Sequence, residues 1–151
     1  MKLNHSDFKK IIQACVENSS EEIKILSDYI TEKFKHDFVF LNRFPSKVKP
    51  FYVMYVDEDP KWARSVDLIC KGLELSSGGQ REHRYEKIIA QLKEKNMSLE
   101  DSEWFTKFFK YGAPPHGGFN IGIERITMQM LDLQNVREAT LFPRDPTRLV
   151  P

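Results

Sequence analysis

The sequence predicts an α+β domain, a mainly antiparallel sheet with flanking helices. Three observations carry this. Strand-like runs are joined by connections of unequal length, with helical periodicity inserted irregularly among them, which argues against a doubly wound parallel sheet. The chain has 151 residues, the size of a single domain. Its composition, 40% hydrophobic, 30% charged and 12% aromatic, is that of a folded globule with apolar bulk for a core.

The elements follow in order. Ser6 can cap a helix to about residue 17, with Phe8, Ile11, Ile12 and Cys15 on one face. Ser19-x-x-Glu22 is a capping box, opening a helix with Ile23, Leu26, Ile30 and Phe34 at helical spacing. HDFVFL at 36–41 reads as a strand, FPSKVKP at 44–50 as a proline-bounded loop, and FYVMYV at 51–56 as a second strand. DEDP is a turn. SVDLICKGLELSS at 65–77 reads as one long strand or two short ones. GGQR at 78–81 reads as a turn. Tyr85, Ile88, Ile89 and Leu92 then mark a helix. Ser98-x-x-Asp101 caps another, carrying Phe105, Phe108 and Phe109 and ending near Gly112. FNIGI precedes a helix from about residue 123 to 133, and REATLFPRDPTRLVP reads as a short strand and a proline-punctuated arm. No internal repeat is present.

Charge and cysteine usage exclude several classes. Lys and Arg number 23 against 22 Asp and Glu, so no global field favours nucleic acid or membrane. No apolar run approaches a membrane span, and the first residues lack the apolar core of a signal peptide. Cys15 and Cys70, without CxxC spacing, provide neither a disulfide framework nor a thiolate zinc cage. A cytoplasmic setting is expected. Walker A, GxGxxG and GxSxG patterns are absent from the sequence.

Glycine marks the place where chemistry is expected. All seven glycines lie between Gly72 and Gly122, and glycine serves where backbone turns sharply or approaches another group closely. In the segment GLELSSGGQREH, regular alternation puts Glu74 and Ser76 on one face, with Ser77 leaving it and Asp67 facing oppositely to Glu74. A carboxylate and a hydroxyl beside a double glycine suit a hard cation such as Mg²⁺. Arg81 can grip a carboxylate or phosphate bidentately, or stand solvated at a tight turn. In PPHGGFNIGIER, prolines stiffen the approach to His116, Gly117 and Gly118, and Gly122 opens a helix. Arg125 in the first turn opposes the helix dipole, so it either stacks on a flat ring such as a purine or is a plain surface residue. His116 is a ligand contact or a loop histidine bonded to backbone. Arg144 and Asp145, between Pro143 and Pro146, form a phosphate or partner contact or a structural ion pair.

Together these segments resemble the C-terminal half of the class II aminoacyl-tRNA synthetase catalytic domain. They are most similar to the aspartyl enzymes of archaeal type, with the asparaginyl enzymes next. The blocks HDFVFL, FP-x-x-V-K-PFY, VDLI, GLELSSGGQREHRYE, KYGAPPHGGF, IGIERI and LFPRDPTRLVP occur in the expected order from about His36 to Pro151. GGQREHRY and FPRDPTRL favour the aspartate branch. The resemblance implies roles. Glu74 and Ser77 would hold the Mg²⁺ that bridges ATP phosphates. Arg81 would recognise the aspartate side-chain carboxylate. Asp67, His116 and Gly117 would line the amino-acid pocket, Gly122 would pass beside the adenosine, and Arg125, the catalytic arginine, would stack on adenine. The implied activity is ATP-dependent aspartate activation and transfer to tRNA, with positioning and charge neutralisation in place of a protein nucleophile.

Departures accompany the resemblance. Val66 replaces the usual Phe, and Asn120 stands where the family usually has Gly. The family's first two motifs are not recognisable in residues 1–35, so the expected organisation is an N-terminal helical segment at 1–35 and half of a catalytic domain at 36–151. Three readings compete: an inactive truncated paralogue, one half of a split enzyme, and a nucleotide or amino-acid binding module. tRNA would be a partner only with a completing chain. A six-stranded type of sheet cut midway leaves an apolar face and an edge, with Phe38, Phe40, Phe51 and Tyr52 as candidates, so a homo- or hetero-oligomer is expected.

Overall fold

The computed structural model describes residues 20–147. The helix expected at 6–17, the Ser19 cap and the end of the C-terminal arm lie outside the described residues. Four strands form one antiparallel sheet in the order β1-β2-β3-β4: β1 (Phe38–Pro45), β2 (Trp62–Cys70), β3 (Leu73–Arg81) and β4 (His116–Ile121). Helix α1 (Ser20–Phe34) precedes the sheet, α2 (Tyr85–Glu94) and α3 (Glu103–Lys110) connect β3 to β4, and α4 (Ile123–Met130) follows β4. The predicted α+β class holds.

The 65–77 run resolves into two strands because Lys71 and Gly72 both take positive φ, 45° and 80°. That is the backbone of a tight two-residue hairpin matching strand twist. The Gly72 amide donates to Ser27 Oγ at 2.8 Å, which ties the hairpin to α1.

Three expectations are corrected. GGQR is not a turn: Gly78 and Gly79 lie inside β3, opposite Val66 and Ser65 on β2 and Phe119 and Gly118 on β4. A Cβ on Gly78 would stand 2.6 Å from Gly118 O, and one on Gly79 would stand 2.6 Å from Arg64 O. These glycines let three strands approach, not the chain reverse. Next, FYVMYV forms no strand. It touches the sheet through isolated bridges, Val53 to Arg81 and Tyr55 to Ala63, with Met54 N donating to Gln80 O at 2.9 Å and Arg64 N to Met54 O at 2.8 Å. The Gln91 carboxamide on α2 donates to Phe51 O and Val53 O, taking acceptors that a ladder partner would use. Finally, the tail holds a 3-10 turn, Val136–Ala139, where a strand was expected.

Boundaries also move. β1 begins at Phe38 and runs into the expected loop, shifting register between Asn42 and Phe44, where Arg43 has φ 59°. Ser98 Oγ accepts from Asp101 N at 3.2 Å, as its cap reading requires, but α3 starts only at Glu103.

Burial alternates along β2. Ala63, Ser65, Asp67 and Ile69 are buried, whereas Trp62, Arg64, Val66 and Leu68 are half-buried. The core therefore lies mainly on one face of the sheet, which also carries the candidate site. Segment 51–56 is pinned there by α2, whose Ile88 and Leu92 are fully buried. On the opposite face Phe40 is 67% and Phe119 73% exposed, as expected of Phe40. Phe38, opposite Cys70, is also exposed. Phe51 and Tyr52 are only half-buried, because Phe51 packs edge-on against Phe105 and Tyr52 lies under Arg81.

Glu82, 1% exposed, closes the site end of β3. Its Oε1 accepts from His83 N at 3.0 Å, Arg84 N at 3.1 Å and Arg84 Nε at 2.8 Å, and its Oε2 from Arg84 at 2.8 Å. Burial alone raises this carboxyl, but the bonds from Arg84 and His83 outweigh it and hold Glu82 below the ordinary carboxylate range. Arg84 reaches on to Asp57 at 2.9 Å. Replacing Glu82 would break the ion pair and the amide bonds that this buried carboxylate collects, although Arg84 keeps Asp57.

Gly79→Ala should lower stability by about 1–3 kcal/mol in urea melts, since its new methyl meets backbone that cannot swing away. A wild-type midpoint would disprove the close-approach reading. Glu82→Gln should cost about 3 kcal/mol at neutral pH. Because the folded carboxyl titrates lower than the unfolded one, its contribution is present above the unfolded value, roughly pH 4.3, and lost as pH falls through the folded one. Stability of wild type and variant should therefore converge in acid.

Candidate active site

β3 carries the site, and an irregularity in its pairing assembles it. Leu68 pairs with Ser76, but Ile69 pairs with Glu74, so Leu75 is an extra residue, a β-bulge. Asp67 pairs with Ser77. Since Asp67 and Ile69 share a face of β2, Glu74 and Ser77 share that face with them. The expectation of opposed Asp67 and Glu74, with Ser77 turning away, assumed regular alternation and is corrected by the bulge. β4 continues the same face: His116 pairs with Arg81, Gly118 with Gly79 and Asn120 with Ser77.

Asp67 lies beneath this surface with its side chain 5% exposed. Ser77 Oγ donates to Asp67 Oδ1 at 2.6 Å, and Lys49 Nζ donates to Oδ2 at 3.3 Å. Lys49 Nζ also sits 3.6 Å from the centre of the Phe44 ring. Sequence reasoning missed Lys49. Lys49 stands inside the FP-x-x-V-K-PFY block, but with no role attached to it there; it lies eighteen positions before its partner, and only the fold brings it to Asp67.

Arg81 is the half-buried cation of the cleft. Its guanidinium lies 4.9 Å from the centre of the Tyr52 ring, and it has no carboxylate partner among the described residues. Glu82 N donates to Tyr52 O at 2.9 Å, so the backbone that follows Arg81 is tied to the residue whose ring lies beneath the guanidinium. An open cleft of about 370 Å³ is bordered by Lys49, Tyr52, Ser65, Ser77, Arg81 and Asn120, among others. Its two lining cations differ: Lys49 is neutralised by Asp67, and Arg81 is not.

Arg125 and Glu74 come together at the other end. Arg125 donates to Glu74 O at 2.6 Å and lies 3.5 Å from Glu74 Oε1. A Cβ on Gly122 would only touch the Arg125 side chain, at 3.4 Å, so the pairing does not depend on that glycine. The Gly122 amide donates to Leu75 O at 3.0 Å, joining the start of α4 to the bulge.

Some expected site residues stand apart. His116 Nδ1 donates to Pro114 O at 2.9 Å and its ring stacks on Phe109, the backbone-bonded alternative. Gly117 pairs with Gln80, on the reverse face. Asp145 pairs with Arg137 at 2.6 Å, the structural ion-pair alternative, formed with Arg137 and not Arg144. Among the described residues no cluster of three or more His, Cys, Asp or Glu forms a metal cage.

Comparison with known proteins extends this. The chain is 48% identical over 146 residues to the aspartate–tRNA(Asp) ligase of Pyrococcus furiosus, covering 97% of this chain and 33% of that protein. It is 47% identical to the aspartate–tRNA(Asp/Asn) ligase of Aeropyrum pernix, over 87% of this chain and 30% of the relative. The chain thus spans about a third of the length of these curated relatives. Among solved structures, the aspartyl tRNA synthetase of Entamoeba histolytica superposes with a TM-score of 0.85 at 38% identity, covering 88% of this chain and 28% of that one. The asparaginyl-tRNA synthetase of Pyrococcus horikoshii complexed with asparaginyl-adenylate gives 0.79 at 32% identity, over 88% of this chain and 30% of that one. The model of the family described as tRNA synthetases class II (D, K and N) matches residues 2–146, so it begins ahead of His36, where the sequence motifs start. With that match spanning nearly the whole chain, this protein belongs to the class II tRNA synthetases of the D, K and N group.

Proposed function

We propose that the cleft binds aspartate and ATP and that the chain supplies half of an aspartate-activating site. The observation that carries this is the uncompensated Arg81 guanidinium, set over Tyr52 beside a Lys49–Asp67 pair that is already neutral. A ligand carboxylate there gains a planar two-point partner, whereas a carboxamide leaves the charge unmatched. In activation, an aspartate main-chain carboxylate oxygen would attack the α-phosphorus of ATP. A new C–O–P link forms as the bond between the α-phosphorus and its bridging oxygen breaks, and pyrophosphate leaves. Mg²⁺, held by Glu74 and Ser77, would neutralise phosphate charge. Arg81 would fix the side-chain carboxylate, and Lys49 with Ser77 would hold Asp67 so that the floor stays rigid. Arg125, anchored by Glu74 O, would offer its flat face to the adenine.

We also infer that the protein works in the cytoplasm and that tRNA is a further partner of the site. Association with another chain is supported by the exposed Phe38, Phe40, Phe119 and Ile121. A second reading is ligand binding without turnover, with the same Arg81 cation holding a carboxylate. Pyrophosphate exchange with aspartate separates the two: exchange, alone or with a complementing chain, supports activation.

Two measurements test the site. Arg81→Leu should weaken aspartate binding by roughly 2–5 kcal/mol in calorimetry, the loss expected when a carboxylate loses its charged partner. Wild-type protein binding asparagine as tightly as aspartate would contradict the assignment. Glu74→Ala should abolish Mg²⁺-dependent ATP binding while the thermal transition persists. Undiminished binding would remove Glu74 from the nucleotide site.

A further inference from the structure

We propose that Asn120 is a nucleotide-contacting residue, its carboxamide bonding the sugar–phosphate of ATP; this rests on the reading of the cleft given above. Asn120 lies on β4 in register with Ser77, on the face that carries Asp67, Ser77 and Arg81. Its neighbours along that face are glycines, Gly118 two residues before and Gly122 two residues after. Gly79 and Gly118 keep the adjoining floor bare. Asn120 is thus a lone uncharged arm rising from a strip of exposed backbone. It borders the cleft, is exposed, and its carboxamide has no hydrogen-bond partner among the described residues. Gln80, whose backbone also borders the cleft, turns its carboxamide to the reverse face, where Arg64 engages it at 3.1 Å.

Position along the strand selects the ligand group. At about 3.3 Å per residue, Asn120 stands roughly 13 Å from His116, which pairs with Arg81, but only about 7 Å from Gly122, which opens the helix bearing Arg125. It therefore belongs to the Glu74–Arg125 end, not to the carboxylate end. A neutral amide suits that place because it can donate to a phosphate oxygen and bond a ribose hydroxyl, without the repulsion a carboxylate would bring.

The test uses the full chain, with ATP and Mg²⁺ and, separately, aspartate as calorimetric probes. Asn120→Ala should weaken Mg²⁺-ATP binding by about tenfold, the loss of one ligand hydrogen bond. Asn120→Asp should weaken it further. Both should leave aspartate affinity and thermal midpoint unchanged, since the side chain supports no other part of the fold. Unchanged or tighter ATP binding in Asn120→Ala would overturn the proposal, as would an equal loss of aspartate binding. Wild-type protein that binds neither probe overturns the cleft reading itself, an outcome separate from a variant effect.

Discussion

Asp67 is the group on which the site depends. A carboxylate with its side chain 5% exposed is tolerated only when paired and hydrogen-bonded, and Lys49 and Ser77 do both. The requirement reaches outward. Lys49 must enter from the 46–50 loop, which orients segment 51–56. Ser77 must face Asp67, which fixes the register of β3 against β2. With the register fixed there, the extra residue Leu75 turns Glu74 onto the same face. One buried charge thus sets a loop, a strand register and the placement of a second carboxylate.

The pairing has an electrostatic consequence. With Lys49 neutralised within the floor, the attraction of the cleft for an anion rests on Arg81. That guanidinium is oriented by Tyr52, Tyr52 by the Glu82 amide, and Glu82 by Arg84 and, through it, Asp57. The site is therefore built on backbone contacts and on a linked set of ion pairs behind it, with Glu82 as the buried member. The glycines of β3 and β4 serve that construction by permitting close strand approach, and they leave an open floor on which Asn120 stands.

Much of this was legible in the chain itself. Helical spacing of Ile23, Leu26 and Ile30, and of Ile88 and Leu92, located α1 and α2, because both helices bury one face. The motif order located Glu74, Ser77, Arg81 and Arg125. What periodicity could not reveal is specific. Double glycine signals a turn as readily as a tight strand crossing, so GGQR was misread. FYVMYV has strand composition, yet Gln91, forty residues away, takes its Phe51 carbonyl. A bulge has no local signature, so alternation placed Glu74 and Asp67 on opposite faces. Lys49 became visible only when the fold delivered it to Asp67.

The proposed site stands or falls on the Arg81 guanidinium receiving a ligand carboxylate. The most direct measurement is an NMR titration following the arginine Nε–H resonances of the labelled chain. Aspartate should shift the Arg81 resonance, asparagine far less, and Arg84, locked to Glu82 and Asp57, should not move with either. An Arg81 resonance indifferent to aspartate, or moved equally by asparagine, would contradict the proposed site.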